Sequence, residues 1–173
     1  MAHPLASHPA DANMHYMREF VSTLNPDAEG YYGRRMQYGG RPGEEETFVS
    51  GGCGQLLSRA SVRKMGSLVD ENPNNWAAPI NGPSDLMTCR TLYAMGIHAL
   101  DSRDKQLRHR FIVIGLDAEH TLTRKSYPTM WLWTYSNETR EGMDCCSDKW
   151  IATHYVRQGQ VVLCARFAAC KPV

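Results

Sequence analysis

A cysteine enclosed by glycines is the first feature of this sequence that could do chemistry. Cys53 follows Ser50-Gly51-Gly52 and precedes Gly54. If a helix starts where the glycines end, the free N–H groups and the dipole at its N-terminus stabilise a thiolate and lower the thiol pKa. A nucleophilic cysteine needs that environment. In a second interpretation, Cys53 is a small hydrophobic residue buried beside a glycine turn.

A histidine precedes the most apolar segment of the chain. His109 is followed by Arg110 and then by the segment 111–116, whose composition is typical of a buried strand. A side chain at the mouth of such a strand is held firmly, as a general base must be. The alternative is an exposed polar residue in a basic turn, since Arg108 and Arg110 flank it.

A third residue would orient the imidazole and fix its tautomer. Asn137 follows the segment 129–135, which alternates with aromatic residues on one face and is predicted to be a strand. If this strand pairs antiparallel with the strand 111–116, Asn137 lies beside His109. Asn137 is alternatively a turn residue. Asp117 and Asp144 are lesser candidates for the same role.

Apolar spacing predicts helices in the first part of the chain. The helical segments are 14–24, a short one over 56–60 directly after the cysteine, and 86–95. Ser84-Asp85 resembles an N-cap for the third helix, and Gly96 is typical of a C-terminal stop. The segment 25–46 is rich in glycine, proline and charge, and is predicted to be a loop.

Strand patterns dominate the second part. The predicted strands are 111–116, 129–135, 150–156 and 161–167, with a hairpin turn over 158–160 between the last two. Helices followed by an antiparallel meander indicate an α+β fold, with N-terminal helices packed on a C-terminal antiparallel sheet. The alternative is a mostly-β sandwich or barrel. We expect a flexible N-terminal segment, 1–45, with one short helix, and a single globular domain over 46–173.

Taken in order, these motifs resemble the papain-like cysteine peptidase superfamily. The resemblance is closest to its compact branches, namely bacteriocin-leader-processing peptidases, cell-wall amidases and bacterial effector proteases. The resemblance covers about residues 47 to 137 and rests on Gly52-Cys53-Gly54, Met95-Gly96-Ile97 and the segment 109–117. It implies a hydrolase or acyl transferase for a peptide or amide bond, in which Cys53 attacks, His109 moves the proton and Asn137 orients His109.

One part of the family pattern is missing. The family places a glutamine before the nucleophile as an oxyanion donor, but the segment 46–52 contains none, and Gln55 lies after the cysteine. The oxyanion and substrate would then be held by the backbone N–H of Cys53 and by Ser50, Gly52 and Gln55. A missing donor costs about two to three powers of ten in rate. An inactive relative or another acyl-transfer variant therefore stays open.

The length and the charge of the chain limit the classes of partner that we expect. The 173 residues carry 19 basic and 18 acidic side chains, a net charge of +1, which does not favour a nucleic-acid-binding surface. No apolar run approaches the roughly 20 residues that span a bilayer. No secretory signal is recognisable, so we expect a cytoplasmic protein or export by a signal-independent route, as for a secreted effector. The expected substrate is a peptide, a protein or peptidoglycan.

The six cysteines do not form a metal-binding pattern. Cys145 and Cys146 are adjacent, and Cys164 and Cys170 are too far apart for paired zinc ligands. We therefore expect no metal and no organic cofactor. In an oxidising compartment, a disulfide could join Cys164 or Cys170 to Cys145 or Cys146.

A different class of function remains open beside the enzyme. The chain would then be a non-enzymatic, β-rich structural or binding protein, such as a small capsid-type or interaction domain. The tryptophans at 131 and 133 could line a ligand site, although aromatic cores have the same sequence pattern. A nucleic-acid-binding regulator that uses scattered arginines is a weaker third interpretation.

Overall fold

The structure is a computed structural model that describes residues 11–39, 46–71 and 83–155. Its helices are α1 (Met14–Val21), α2 (Arg59–Glu71), α3 (Ser84–Ala94), α4 (Leu116–Thr121) and α5 (Leu132–Tyr135), with a 3-10 turn at Gly142–Asp144. Its strands are β1 (Asp11–Ala12), β2 (Tyr31–Gly33), β3 (Arg35–Tyr38), β4 (Glu46–Val49), β5 (Gln55–Leu57), β6 (Phe111–Ile112) and β7 (Ala152–Thr153).

Two of the predicted helices are confirmed. At the start of α1, the Asn13 side chain accepts hydrogen bonds from the backbone N–H groups of His15 and Tyr16, at 3.2 and 3.3 Å. This cap satisfies donors that the first turn leaves free. α3 ends before Gly96, whose φ of +78° breaks the helix.

The predicted loop over 25–46 is wrong in part, because it contains two strands. β2 pairs antiparallel with β5, and β3 pairs antiparallel with β4, so that Met36 lies opposite Phe48. Gly33 permits this packing, since a Cβ there would lie 2.3 Å from Val49 Cγ1. Pairing across the chain thus gives order to a segment whose composition alone is typical of a loop.

The predicted antiparallel meander is also wrong within the described residues. The segment 129–135 contains α5 and no strand, and the segment 111–116 is a strand only at β6, after which α4 begins. β6 pairs in parallel with β7, and β1 pairs antiparallel with the other edge of β7. The predicted strand 161–167 and its hairpin turn lie outside the described residues.

These elements make an α+β fold, as the sequence predicts at this level. Within the described part of the chain, more residues lie in helices than in strands, so the mostly-β alternative is wrong. β2 and β3 pair with strands from beyond residue 45. The division of the chain at residues 45 and 46 stays a prediction. No helix of the described residues has the length and apolarity needed to cross a membrane.

Apolar side chains form the core on both sides of the sheets. One cluster joins Met36 to residues in or next to β6, α5 and β7, among them Phe111, Leu132 and Ile151. A second cluster packs α3 under β2 and β4, around Tyr31 and Leu92. Together these clusters fix the β3–β4 pair between α3 and α5.

A buried ion pair crosses this core. Arg34 lies between β2 and β3, and its Nη1 is 2.9 Å from Glu119 Oε1 in α4, with both side chains fully buried. Arg34 Nη2 also donates to Thr139 Oγ1 at 2.8 Å. The guanidinium therefore connects three segments that are far apart in the chain.

The cysteines pair differently from the sequence expectation. Cys145 and Cys146 form a disulfide with each other, so neither is available to Cys164 or Cys170, which lie outside the described residues. Both bonded cysteines are buried and pack with Ile112. The sequence pattern does not show whether the backbone brings two adjacent thiols into bonding geometry.

We predict that Glu119→Gln destabilises the protein by about 3–5 kcal/mol, because it leaves a buried guanidinium that cannot lose its proton. The measurement is the free energy of unfolding from urea titration at about pH 7. The matched control is Asp27→Asn, which breaks the exposed ion pair with Arg59 and should cost less than about 1 kcal/mol. Equal losses in the two variants would contradict the role given to the buried pair.

Candidate functional site

A cleft of about 360 Å³ opens where β3, β4, α3, α5 and β7 meet. Met36 and Tyr38 of β3 and Phe48 of β4 form one wall, because alternate residues of a strand face the same side. The rest of the lining comes from the turn at 50–52, the start of α3 and the segment after β7. The cleft thus collects side chains from segments spread over most of the described chain.

Aromatic rings cover one side of this cleft. Trp131 and Tyr135 are four residues apart at α5 and therefore lie on one face of the chain, with ring centroids 6.3 Å apart. Tyr38 stacks on Tyr135 at 6.5 Å with an interplanar angle of 6°. Trp131 is 41% exposed and Tyr38 is 45% exposed. Such large apolar faces, open to solvent inside a concave site, are typical of ligand binding.

A carboxylate lies at the edge of the same cleft. Asp85, in the first turn of α3, accepts a hydrogen bond from the Gly51 N–H through Oδ2 at 3.0 Å, and from the Leu86 N–H through Oδ1 at 2.9 Å. Each oxygen of an ionised carboxylate has two acceptor positions. Asp85 is therefore oriented by the backbone and can still accept a further hydrogen bond.

An imidazole completes the cleft. His154 follows β7, its backbone N–H donates to Ile112 O at 2.9 Å, and its ring lies 3.8 Å from that of Tyr155. The backbone of Gly52 packs directly against this ring, since a Cβ at Gly52 would be 2.3 Å from His154 Nδ1. Glycine at position 52 therefore allows the imidazole to approach the turn.

These groups suit a ligand with both apolar faces and hydroxyl groups. The rings of Trp131 and Tyr135 can stack on an apolar face, while the Asp85 carboxylate can accept a hydrogen bond or a proton from a hydroxyl. No part of this chemistry needs a thiolate.

The predicted setting of Cys53 is wrong. Cys53 lies in a turn, the next segment is β5, and α2 begins only at Arg59. Its side chain is fully buried, and its thiol donates a long, weak hydrogen bond to Ser50 O at 3.8 Å. Burial raises the pKa of Cys53 to about 12, because the charged thiolate is desolvated, and the positive charge of Arg34 only partly opposes this. The site stabilises the neutral thiol.

His109 does lie near Asn137, but for a different reason than predicted. His109 Nε2 is 3.0 Å from the carbonyl oxygen of Glu138, the residue after Asn137, and is assigned as the donor. The backbone of His109 forms a parallel bridge with Cys146, and the segment before Asn137 contains α5, so the predicted pairing of two antiparallel strands is wrong. Burial, together with the nearby charge of Arg34, lowers the pKa of His109 to about 2, so the imidazole is neutral.

The remaining predicted site residues are dispersed. The Gln55 amide donates to Tyr31 OH at 2.9 Å and to Val49 O at 2.8 Å, so it supports β2 and β4. Ser50 and Gly52 line the cleft described above, whereas Asn137 lines a separate cavity.

The two lesser candidates for the orienting role lie on the surface. Asp117 is exposed in the first turn of α4, and Asp144 is exposed in the 3-10 turn. The His109 imidazole is buried, whereas both carboxylates are exposed. Their exposure therefore does not support a role in orienting His109.

One group among the described residues has possible metal-ligand spacing. His120, Cys145 and Cys146 have ligand atoms within 4.8 Å of one another. The two sulfur atoms are joined in the disulfide, however, and metal binding needs thiolates. In this state, the group does not fit a metal ion.

The sequence pattern did not indicate that Asp85 and His154 line one cleft, and its prediction of a strand over the aromatic segment is wrong. The spacing of Trp131 and Tyr135, four residues apart, fits a helix as well as two steps of alternation, and this signal could have indicated a shared face. Asp85 was interpreted only as a helix cap, yet an acidic residue at a helix start is also free to face a ligand.

The comparison with known proteins points to a different chemistry from the predicted one. The chain is similar to the glycoprotein-N-acetylgalactosamine 3-beta-galactosyltransferase 1 of Xenopus laevis, with 30% identity over 146 residues. The match covers 83% of this chain and 38% of the relative, so the chain spans well under half of that protein's length. No protein-family profile matches the chain.

This similarity overturns the predicted cysteine-dependent hydrolase or acyl transferase. The relative is named for glycosyl transfer, and neither thiol protease nor effector chemistry agrees with it. The buried, neutral thiol of Cys53 agrees with the correction. The short motifs on which the papain-like resemblance was based are not tested by the similarity, and that resemblance stays a prediction.

We predict that Cys53 resists alkylation in the folded protein, because it is fully buried and its pKa is raised to about 12. Iodoacetamide is added at about pH 8 with and without urea, and the modified peptides are measured by mass spectrometry. Cys53 should be labelled only in urea. Labelling of folded Cys53 at the rate seen in urea would contradict the prediction.

We predict that His109 makes stability fall in acid. Its folded pKa of about 2 lies below its unfolded value of 6.5, so its contribution is complete above pH 6.5 and is lost as the pH falls toward 2. Between pH 6.5 and about pH 5 this amounts to about 2 kcal/mol.

The measurement compares wild type with His109→Gln, whose side chain retains a donor for Glu138 O but does not titrate. The free energy of unfolding is determined at about pH 7 and about pH 5. The variant should lose less stability between the two pH values than wild type. An identical loss in both proteins would show that His109 is not the responsible group.

Proposed function

We propose that this chain carries the acceptor-sugar side of a glycosyl-transfer site, and that its acceptor is N-acetylgalactosamine attached to a polypeptide. The similarity to a galactosyltransferase supports the reaction class and the acceptor. Because the chain spans 38% of that relative, galactosyl transfer by the whole protein is part of the proposal.

The observation that carries the proposal is the joining of an aromatic wall and a fixed carboxylate in one cleft. Trp131, Tyr135 and Tyr38 present ring faces, and Asp85 lies at the edge of the same space. A pyranose ring has an apolar face of C–H groups and an equatorial belt of hydroxyls. The aromatic rings can pack against the C–H face, and the carboxylate can accept hydrogen bonds from the hydroxyls.

The proposed chemistry assigns one step to Asp85. The acceptor hydroxyl oxygen attacks the anomeric carbon of an activated galactose, the new C–O bond forms, and the bond to the leaving group breaks with its electron pair. The hydroxyl proton passes to the Asp85 carboxylate as general base. The two backbone N–H groups that hold the carboxylate keep it oriented for this transfer.

His154 and Gly52 act as positioning residues in this proposal. The imidazole lies against the Gly52 backbone and beside the Tyr155 ring, which limits its movement. A papain-like arrangement of the helices and sheet stays a prediction about the fold, and the proposed function does not depend on it.

We predict that the chain binds a glycopeptide bearing N-acetylgalactosamine on threonine, and that Trp131→Ala weakens this binding about tenfold because it removes the largest stacking face. Binding is measured by isothermal titration calorimetry. The matched control is Tyr127→Ala, which removes an aromatic ring that is 53% exposed but outside the cleft. This control should bind like wild type.

The unglycosylated peptide serves as the second ligand and should not bind measurably. Equal binding of both peptides, or an equal effect of the two substitutions, would overturn the assignment of the cleft to an acceptor sugar. Unfolding midpoints of both variants are measured in parallel, so that a folding defect is recognised.

A further inference from the structure

A second cavity, of about 680 Å³, lies on the other face of the β3–β4 pair. Arg35 and Gln37 line this cavity, whereas their neighbours Met36 and Tyr38 line the aromatic cleft. This alternation follows from the period of two in a strand. The two-stranded sheet is therefore a partition between two separate ligand-sized spaces, whose volumes both fall in the range of about 300–1,000 Å³ for small-molecule sites.

The charged side chains of the second cavity are already neutralised. Arg35 forms ion pairs with Glu138 and, at 3.1 Å, with Asp101. Arg90 donates through Nε to Glu46 at 3.0 Å. An anionic ligand would have to displace these carboxylates, so the cavity does not favour a phosphate or a nucleotide.

An exposed aromatic ring lines the same cavity. Tyr93, on α3, is 62% exposed, and its ring contacts that of His98 edge to face at a centroid distance of 4.5 Å. Tyr93 therefore offers aromatic surface to the cavity.

A buried polar group also points to a missing partner. Ser136 lines the cavity, is only 2% exposed, and its hydroxyl has no hydrogen-bond partner among the described residues. Buried hydroxyls without a partner are rare in folded proteins and need an explanation. The side-chain amides of Gln37 and Asn137, which both donate and accept, line the same space.

We propose that the second cavity is a binding subsite for a neutral saccharide, distinct from the aromatic cleft. Sugar hydroxyls both donate and accept hydrogen bonds, as the amides and the Ser136 hydroxyl require. The exposed aromatic surface of Tyr93 can pack against the apolar face of the sugar ring. A purely apolar ligand would leave the polar lining unpaired, which costs free energy.

This subsite is independent of the acceptor sugar in the aromatic cleft. The two spaces share the β3–β4 pair but no lining residue. A branched or extended glycan could contact both faces, and a single sugar residue could occupy either one. The subsite thus stands if the proposed galactosyl transfer fails, and the reverse is also true.

The test titrates the isotope-labelled chain with methyl β-galactoside and follows backbone amide shifts by NMR. We expect saturable shifts at Ala94, His98 and Asn137, which line the cavity, with a Kd on the order of 1 mM. Tyr93→Ala should weaken this binding about tenfold, and Tyr93→Phe, which retains the ring face, should restore it. Trp131→Ala in the cleft should leave the shifts at these three residues unchanged.

Two outcomes would overturn the subsite. In the first, the sugar shifts the backbone amides of the cleft but not those of the cavity, which would place the sugar only in the cleft. In the second, Trp131→Ala abolishes the amide shifts of the cavity and Tyr93→Ala does not. The shifts in the cavity would then be an indirect effect of sugar binding in the cleft. The unperturbed core amides of each variant verify that Tyr93, an exposed residue, was replaced without unfolding.

Discussion

The buried ion pair between Arg34 and Glu119 is the constraint on which the rest of the described structure depends. It places a charge in the core, between the β2–β3 junction and α4, and Thr139 satisfies one further guanidinium donor. Burial raises the pKa of Glu119, and the guanidinium beside it acts in the opposite direction. The same guanidinium favours the thiolate of Cys53 and the neutral imidazole of His109. At Cys53 its effect is smaller than the cost of desolvation, so both groups are held in their neutral forms.

The β3–β4 pair separates two cavities beside this anchored core. Arg34 immediately precedes β3, and the backbone of β3 carries alternate side chains to opposite faces. α3 and the segment from α5 to Glu138 each contribute residues to both spaces. A short, two-stranded sheet can separate two cavities because helices lie on either side of it and supply the rims of the cavities.

The cysteine hypothesis failed because local patterns do not determine burial. Glycines around Cys53 fit both a helix start and a tight turn, and β5 pairing with β2 selected the turn. His109 is buried directly before β6, and its ring contacts the carbonyl oxygen of Glu138, the residue after Asn137. The environment that fixes it also removes water, which lowers its pKa to about 2 and leaves a structural imidazole.

The sequence by itself determined the elements with strong local signals: α1 from its apolar spacing, α3 with its stop at Gly96, and the α+β class. Periodic apolar spacing and a glycine at a helix end act within one element, so they can be read without knowing its neighbours. The predicted N-cap at Ser84-Asp85 is wrong, because α3 already begins at Ser84 and its cap position is Pro83. Only the tertiary structure decided that the loop-like segment 31–38 forms strands, that the aromatic residues before Asn137 form a helix, and that Trp131, Asp85 and His154 share a cleft. These features depend on contacts between residues far apart in the chain, whose free energy exceeds the local propensities.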